Sequence, residues 1–325
     1  MTVQTARPQT VGSASTGAPH GGDPRGPRRS RMASRMRRSE VRTGLLMVSP
    51  ALLGALVFVA YPLVTLLWYS LQEWKPLAGG PVFTGLDNYE RLLGDPSVRE
   101  SLGATAIFST GLVVFNIALA LFLAVLLNQK LRGMTAFRTI FFSPVVVSLV
   151  AWTLVWTFLL QNNGGINGFL SSVGIDGPNW LREPGWAMAS VIIVQVFKGV
   201  GLNMVLLLAA LQEVPEELVE ASKIDGATRA RTFRSITLPL ISPTLLLVSI
   251  VTIIGSLQVF AQIRIMTEGG PSNSTNVLAM YLYQTAFEVK EFGYGSAVGV
   301  LLFVLVLGLT LLQWGARKKW VHDEN

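Results

Sequence analysis

Six long stretches of the chain are almost free of charged side chains. The hydrocarbon core of a bilayer is about 30 Å thick, so a helix that crosses it needs about 20 mostly apolar residues. The sequence therefore predicts an all-α fold, a polytopic membrane protein with six transmembrane helices. They are expected at Gly44–Ser70, Leu102–Leu127, Ile140–Leu160, Trp186–Leu211, Ile241–Ile265 and Tyr294–Trp314.

Charge between the spans predicts their orientation. The loop after the second span is basic (Lys130, Arg132 and Arg138), and basic residues 317–319 follow the sixth span. The loops on the opposite side lean acidic. Because Lys and Arg accumulate in cytoplasmic loops, both termini are predicted to be cytoplasmic.

The chain divides by composition into three parts. Residues 1–42 are rich in Gly, Pro, Ser and Thr and hold nine arginines, which predicts a disordered basic cytoplasmic tail. Residues 43–320 form the predicted membrane domain, and residues 321–325 form a short cytoplasmic tail. Since the basic run abuts a span, it is interpreted as a membrane anchor rather than a nucleic-acid site.

Missing residue types exclude several kinds of chemistry. The chain has no cysteine, and its two histidines, His20 and His322, lie in the polar tails. Disulfides, cysteine-ligated metals and histidine catalysis inside the membrane are therefore excluded. The phosphate-binding loop G-x-x-x-x-G-K-[ST] is also absent, so this chain is not expected to be an ATPase. Because the residues that catalysis and metal binding need are missing from the spans, neither an enzyme nor a metal protein is expected.

The segment 212–240, between the fourth and fifth spans, is longer than a simple connection needs to be. Pro215 and the acids after it predict the start of a short helix, and Gly226 predicts its end. Thr228 can cap a second helix, which Pro239 is expected to end just before the fifth span. The sequence thus predicts a cytoplasmic helical hairpin.

An apolar face on such a hairpin needs to be covered. One alternative is a hairpin lying on lipid headgroups, but helices of that kind usually carry Lys and Arg on their polar face. The first predicted helix instead carries Glu216, Glu217 and Glu220. A partner protein is therefore the favoured occupant, with the charges fixing its register.

The hairpin sequence resembles the EAA loop of binding-protein-dependent ABC importer permeases. The matching residues are Glu220, Ala221, Ser222, Asp225, Gly226, Ala227, Phe233, Ile236, Leu238 and Pro239. Ser222 stands where the family usually has alanine. Outer-loop motifs resemble the maltose, lactose and glycerol-phosphate branch: Phe83-x-Gly85-Leu86-x-Asn88-Tyr89, Thr267-x-Gly269-Gly270-Pro271 with Ser274-Thr275, Tyr283-x-x-Ala286-Phe287 and Gly293-Tyr294-Gly295.

The resemblance implies a type I ABC importer permease architecture in a prokaryotic cytoplasmic membrane. The implied function is a permease subunit for a mono-, di- or oligosaccharide, or a glycerol-phosphate-like solute. The implied partners are a second permease in a heterodimer, two ATPase subunits that bind ATP and magnesium, and an extracytoplasmic solute-binding protein. Gly226 would form the bend of the hairpin, and Glu220 and Ala221 would face the ATPase.

Polar residues inside spans are the candidates for a solute path. They are Asn116, Gln195, Lys198, Asn203, Thr252, Ser256, Gln258 and Gln262, with Trp152, Trp156 and Phe260 as possible aromatic faces for a sugar. The alternatives for Lys198 are that its side chain snorkels toward the interface or makes a structural pairing. The alternative for the hydroxyls, Ser249 included, is a hydrogen bond to their own backbone.

The sequence can also be compared with the residues that three other functions require. An ion-coupled secondary transporter usually carries an acid inside a span, and the predicted spans contain no Asp or Glu. A membrane-embedded enzyme would need paired carboxylates, a metal cluster or an activated nucleophile, which the spans lack. An ABC permease for a non-sugar solute would carry the same hairpin.

Overall fold

The computed structural model describes residues 44–76, 79–129 and 133–320, with the side chains of 316–320 excepted. The two predicted tails, 1–42 and 321–325, lie outside the described residues. The chain divides into two compact units, residues 1–62 and 63–325. In the first unit, the described residues 44–62 are the N-terminal part of one helix, and the second unit holds all the other described elements.

The described residues form helices joined by short loops and one small antiparallel sheet. The helices are α1 Gly44–Ser70, α2 Asp87–Gly94, α3 Pro96–Leu127, α4 Met134–Val146, α5 Leu149–Leu159, α6 Gly165–Ser172, α7 Pro184–Glu213, α8 Glu216–Ile224, α9 Arg229–Leu240, α10 Ser242–Leu257, α11 Ala261–Met266, α12 Leu278–Tyr283, which continues as a π turn at Gln284–Glu288, and α13 Phe292–Trp320. The strands are β1 Gln72–Glu73 and β2 Val82–Phe83, with Gln72 opposite Phe83.

Four helices in the described part of the chain are continuous and long enough to cross a membrane: α1, α3, α7 and α13. The bounds of α1 coincide with the predicted first span. Helix α3 begins six residues before the predicted Leu102, since Pro96 stands in its first turn and Asp95 caps it by accepting from the Ser97 N–H. The second, fourth and sixth spans are therefore confirmed, with somewhat longer helices.

The third and fifth spans are each bent pairs, which corrects the prediction of two continuous helices. Helices α4 and α5 meet at 100°, with Pro144 inside α4 and extended backbone at Val147 and Ser148. Helices α9 and α10 meet at 69°. Residues 258–260 are not helical, so the predicted Ile241–Ile265 span ends at Leu257, and α11 follows as a separate helix. The number of crossings is six if each bent pair is one span.

Helix α7 lies at the centre of the packing. Phe108 and Val191 are buried in one cluster that joins α3, α7 and α11, and Leu123 and Leu207 are buried in a second cluster that joins α3, α7 and α10. Gly201 lets α7 approach α4 closely, because a Cβ at this position would overlap the carbonyl oxygen of Phe141. Small residues at such contacts are typical of membrane helix packing.

The outer loops are tied together by an acid and two tyrosines. Asp95 accepts hydrogen bonds from the hydroxyls of Tyr281 at 2.7 Å and Tyr294 at 2.6 Å. Burial alone would raise the pKa of Asp95, but the bonds from Tyr294, Tyr281 and the Ser97 N–H outweigh it, so the pKa lies below its ordinary value. The N-terminus of α3 is thereby joined to α12 and α13.

A second charged contact joins the same loops. Glu291 pairs with Arg91 at 2.7 Å and with Lys75 at 3.3 Å. Burial would raise the pKa of Glu291, but the hydrogen bond and charge of Arg91, together with Lys75, hold it below its ordinary value. Asn88 donates to the carbonyl oxygens of Ser70 and Gln72, both at 2.9 Å. The outer-loop motif around Asn88 thus fastens the sheet and α2 to the end of α1.

Candidate functional site

The predicted cytoplasmic hairpin is present as helices α8 and α9. Pro215 immediately precedes α8, and Gly226, with φ of +75°, turns the chain between the two helices. The Thr228 side chain accepts from the Arg231 N–H at 3.4 Å at the start of α9. This left-handed glycine and hydroxyl cap are local signals, which explains why the hairpin could be predicted.

Helix α9 ends one residue beyond the predicted end at Pro239. The helix continues to Leu240 and bends only at Ile241. It passes through a π turn at Phe233–Thr237, where the Leu238 N–H bonds to the Phe233 carbonyl oxygen. Such local widening accommodates a proline inside a helix.

The two hairpin helices touch through a pair of hydroxyls. Ser222 Oγ and Thr232 Oγ1 lie 2.9 Å apart, and both residues are buried. Ser222 Oγ also donates to the Val219 carbonyl oxygen at 2.8 Å. The serine that replaces the usual alanine of the EAA loop therefore lies inside the hairpin, between its helices.

The face of the hairpin that points away from the rest of the chain is exposed. The predicted coupling residues Glu220, Ala221, Asp225 and Gly226 are exposed, whereas Ala227, Phe233, Ile236, Leu238 and Pro239 are partly buried. Ile224 is 87% exposed and Leu218 is 43% exposed. Together with the exposed Glu220 and Asp225, these apolar side chains form a surface that suits a protein partner.

A groove of about 1280 Å³ lies between the hairpin and the connection from α3 to α4. Its lining carries the acids Glu216 and Glu220 and the bases Arg138, Lys223 and Arg229. Arg138 Nη2 also donates to the Leu127 carbonyl oxygen at 2.9 Å, at the C-terminus of α3. The wall formed by α4 was not predicted as part of this site, and its only sequence signal was the basic character of the loop.

Three of the candidate solute-path residues meet in the membrane interior. Asn203 Nδ2 donates to Asn116 Oδ1 at 2.6 Å and to Thr252 Oγ1 at 3.0 Å. Asn116 Nδ2 donates to the Val196 carbonyl oxygen at 3.3 Å. Helices α3, α7 and α10 are thus joined by one polar network, in which Asn116 and Asn203 are buried.

Lys198 takes the structural pairing that was its alternative. Its Nζ donates to the carbonyl oxygens of Pro144 and Val147, both at 2.5 Å, and of Val145 at 3.3 Å. These acceptors lie at the break between α4 and α5. The lysine is therefore fully engaged by backbone.

Three hydroxyls of α10 bond to their own helix. Ser249 donates to the Leu245 carbonyl oxygen, Thr252 to that of Val248 and Ser256 to that of Ile253, at 2.7 Å in each case. This local bonding was the predicted alternative, and it leaves Thr252 able to accept from Asn203. Ser256 is buried and makes no such contact across helices among the described residues.

The remaining polar candidates do not join the asparagine network. Gln262 is fully buried, and its Nε2 donates to the Val191 carbonyl oxygen at 3.0 Å. The Oε1 atoms of Gln262 and Gln195 are buried without a hydrogen-bond partner among the described residues. Gln258 is exposed beside the non-helical residues that follow α10.

The aromatic candidates fall into two groups. The ring centroids of Trp152 and Trp156 are 5.8 Å apart, and Trp156 lies 5.9 Å from Phe197 on α7. Trp152 Nε1 donates to the Val194 carbonyl oxygen at 3.2 Å. Phe260 instead packs on Tyr283, with centroids 4.7 Å apart. The first group forms an aromatic row along α5.

No grouping of three or more His, Asp or Glu side chains that could hold a metal ion occurs in residues 44–76, 79–129 and 133–315. The polar groups of the membrane interior are amides and hydroxyls. Groups of this kind can form hydrogen bonds with a polar, uncharged surface. The hairpin offers charges and exposed apolar side chains instead.

Residues 104–316 match the family described as "Binding-protein-dependent transport system inner membrane component". The chain is 36% identical over 282 residues to the lactose transport system permease protein LacF of Rhizobium radiobacter, covering 85% of this chain and 94% of the relative. It is 34% identical to the trehalose/maltose permease protein MalF of Thermococcus litoralis, covering 86% and 95%. It is 33% identical to the sn-glycerol-3-phosphate permease protein UgpA of Pectobacterium atrosepticum, covering 82% and 91%.

Two crystal structures of a bacterial alginate ABC transporter have a similar fold. One matches with a TM-score of 0.75 and 24% identity, covering 89% of this chain and 99% of the other. The second, solved with an alginate pentasaccharide-bound periplasmic protein, matches with a TM-score of 0.76 and 23% identity, covering 90% and 99%. At this identity the likeness shows the fold.

Proposed function

Since the chain belongs to the binding-protein-dependent transport system inner membrane component family, we propose that it is the permease subunit of an ATP-driven importer that carries a carbohydrate across the cytoplasmic membrane. The carbohydrate class is supported by relatives named for lactose, for trehalose and maltose, and for glycerol-3-phosphate. The proposed coupling to an ATPase rests on the exposed hairpin, in which Gly226 has a left-handed backbone conformation.

In this proposal, ATP and magnesium bind to a separate ATPase, and this ATPase binds the hairpin. The absence of a G-x-x-x-x-G-K-[ST] sequence supports the separation. The acids around Ala221 and the exposed Ile224 support a protein contact, because a charged rim around apolar side chains sets register and excludes water. The complex would also contain a second permease, a second ATPase subunit and an extracytoplasmic solute-binding protein, with both termini of this chain in the cytoplasm.

The hairpin is suited to transmit a movement. Only Val214 and Pro215 separate α7 from α8, and α9 leads through Ile241 into α10. Contact between Ser222 and Thr232 holds the two hairpin helices to each other. A displacement imposed by the ATPase would therefore reach α7 and α10 together, and these helices carry Asn203 and Thr252.

The coupling contact is tested in proteoliposomes that contain the assembled complex. Ile224→Asp places a charge at the most exposed apolar residue of the hairpin. We expect it to reduce binding of the ATPase and solute-stimulated ATP hydrolysis at least tenfold, because a buried unpaired charge disfavours an interface. Val173→Asp, at a 58% exposed position beyond the end of α6, is the matched control and should preserve both activities.

Uptake with and without ATP separates this proposal from an ion-coupled transporter. We expect uptake to need ATP and to be insensitive to collapse of ion gradients. Uptake that an ion gradient drives without ATP, or full ATPase coupling in the Ile224→Asp variant, would contradict the proposal.

A further inference from the structure

Lys198 is an isolated cation in the middle of α7. Among the described residues, no carboxylate lies within ion-pair distance of its Nζ. An intramembrane charge costs at least about 2.5–3.5 kcal/mol unless it is compensated. The hydrogen-bond acceptors for this ammonium group must therefore come from the backbone.

Three backbone carbonyl groups compensate the charge of Lys198. An ammonium group has three N–H donors, and Lys198 Nζ contacts three acceptors, the carbonyl oxygens of Pro144, Val145 and Val147. No N–H is left over for a solute. Lys198 therefore differs from Asn116 and Asn203, whose amides take part in a side-chain network.

These carbonyls would lack partners without the lysine. The last four carbonyl groups of a helix have no N–H partner within it, and in hydrocarbon no water can replace that partner. Helix α4 ends at Val146, and Val147 and Ser148 are extended. The C-terminus of a helix also carries partial negative charge, which favours a cation. The ammonium group of Lys198 thus donates hydrogen bonds to the free carbonyl groups at the break and compensates the partial negative charge of the helix end.

A continuous third span would leave Lys198 without these acceptors. In an unbroken helix, the carbonyl groups of Pro144, Val145 and Val147 would each accept from the N–H four residues later. Lys198 would then lose its acceptors and become an uncompensated charge in the membrane. The lysine consequently favours the broken form over a straight one. Gly201, three residues along α7, holds the same face of α7 against Phe141.

The break decides where the aromatic row lies. Trp152 and Trp156 are on α5, immediately after the break, and they contact Val194 and Phe197 on α7. We propose that Lys198 is a positioning residue, which keeps the third span broken and so holds this aromatic row against α7 without contacting the solute. The test by transport kinetics rests on the proposed function, whereas the test by distances between α4 and α5 does not.

The experiment uses spin labels, because the chain has no native cysteine to remove. Phe137→Cys and Phe158→Cys place labels at exposed positions of α4 and α5, 54% and 67% exposed, on either side of the break. In a continuous helix their Cα atoms would be about 32 Å apart, and the 100° bend shortens this by about 10 Å. Pulsed electron-spin resonance on the assembled complex measures the difference.

We expect the short distance in the parent chain and in Lys198→Arg, which retains a cation with several donors. Lys198→Met should move the distribution toward the long distance. Gln195→Met, one turn away on α7, removes a polar group that does not touch the break and should keep the short distance. If Lys198→Met does not assemble, Lys198→Gln, with two donors, takes its place and should give a mixture of both distances.

Transport kinetics provide the second readout. We expect Lys198→Met to lower turnover at least fivefold with less than a twofold change in the KM for the solute. A large rise in KM with an unchanged label distance would make Lys198 a solute contact and overturn the proposal, as would an unchanged distance with normal turnover. If the parent complex shows no ATP-dependent uptake, the proposed function fails, and the label distances still decide the role of Lys198.

Discussion

Ser222 Oγ lies 2.9 Å from Thr232 Oγ1 at the buried contact between the two hairpin helices. Each hydroxyl also has a backbone carbonyl of its own helix within hydrogen-bond distance, Val219 for Ser222 and Thr228 for Thr232. The contact uses the proton of one hydroxyl, because each has only one, while the other hydroxyl donates to its backbone carbonyl oxygen. It supplies an internal link in a hairpin whose outer side is uncovered.

Ser222→Ala should be tolerated. It removes one hydrogen bond, worth about 0.5–1.5 kcal/mol, and leaves Thr232 Oγ1 bonded to the Thr228 carbonyl oxygen. We expect a small fall in thermal stability and near-normal coupled ATP hydrolysis. Ser222→Leu, which forces a large side chain into the same buried contact, should abolish coupling. Loss of coupling in Ser222→Ala would show that the hydroxyl itself is required.

Gly226 should tolerate asparagine better than alanine. A Cβ at this position meets nothing within 4 Å, so the backbone conformation alone decides. At φ of +75°, alanine pays about 1–2 kcal/mol, whereas asparagine is the residue that best tolerates this region after glycine. We expect Gly226→Ala to reduce ATPase binding and Gly226→Asn to restore most of it, measured by co-purification. Equal loss in both variants would contradict a conformational origin.

The Asn116–Asn203 hydrogen bond should appear in a double-mutant cycle. Each single alanine substitution leaves the other buried amide with fewer partners, so the double variant should cost less than the sum. Interhelical hydrogen bonds in membranes contribute about 0.6 kcal/mol on average and about 1.7 kcal/mol at most. The free energy of unfolding in detergent measures this coupling, and a coupling of zero would show that the 2.6 Å contact does not stabilise the fold.

Gly201→Ala should destabilise the chain strongly, because the added methyl group would overlap the carbonyl oxygen of Phe141 and push α4 away from α7. Gly255→Ala is the matched control on α10, where a Cβ meets nothing within 4 Å. That control should be neutral or slightly stabilising, since alanine favours a helix by about 1 kcal/mol over glycine. Thermal unfolding of both variants compares them, and equal effects would argue against the close approach.

Acid should loosen the outer loops. The pKa values of Asp95 and Glu291 are lowered in the folded chain, so their stabilisation is complete above the ordinary values of 3.8 and 4.5 and is lost as the pH falls through the folded values. Thermal unfolding should therefore show decreasing stability below about pH 4.5. Asp95→Asn should be less stable at pH 7 and less sensitive to acid. An unchanged acid profile in that variant would exclude Asp95 as a source.

Local signals made the hairpin and the continuous spans predictable. Gly226 ends a helix and Thr228 starts one through bonds to their immediate neighbours, so distant residues are not needed. The span at Gly44–Ser70 is defined by its uncharged length alone, and the structure gives it the same bounds. Membership in the importer family followed from residues inside the hairpin, and the match over residues 104–316 confirms it.

Contacts between distant residues decided what the sequence did not reveal. Pro144 is compatible with a straight helix or with a broken one, and the choice depends on Lys198, 54 residues away. Likewise, Asp95 gave no sign that Tyr281 and Tyr294 would bond to it. The backbone pairing of Lys198 was hidden for the same reason, because its acceptors are backbone atoms that no side-chain pattern indicates.

If α7 tilts about its close crossing with α4 at Gly201, its two ends lie at unequal distances from the pivot. Counted at 1.5 Å per residue, the arm toward the hairpin at Glu213 is about 18 Å long and the arm toward Pro184 is about 26 Å. A tilt about this fulcrum would move the two ends in opposite directions, with the farther end travelling about 1.4 times as far. In the proposed complex, a displacement of the hairpin would thus be enlarged and reversed at the Pro184 end of α7.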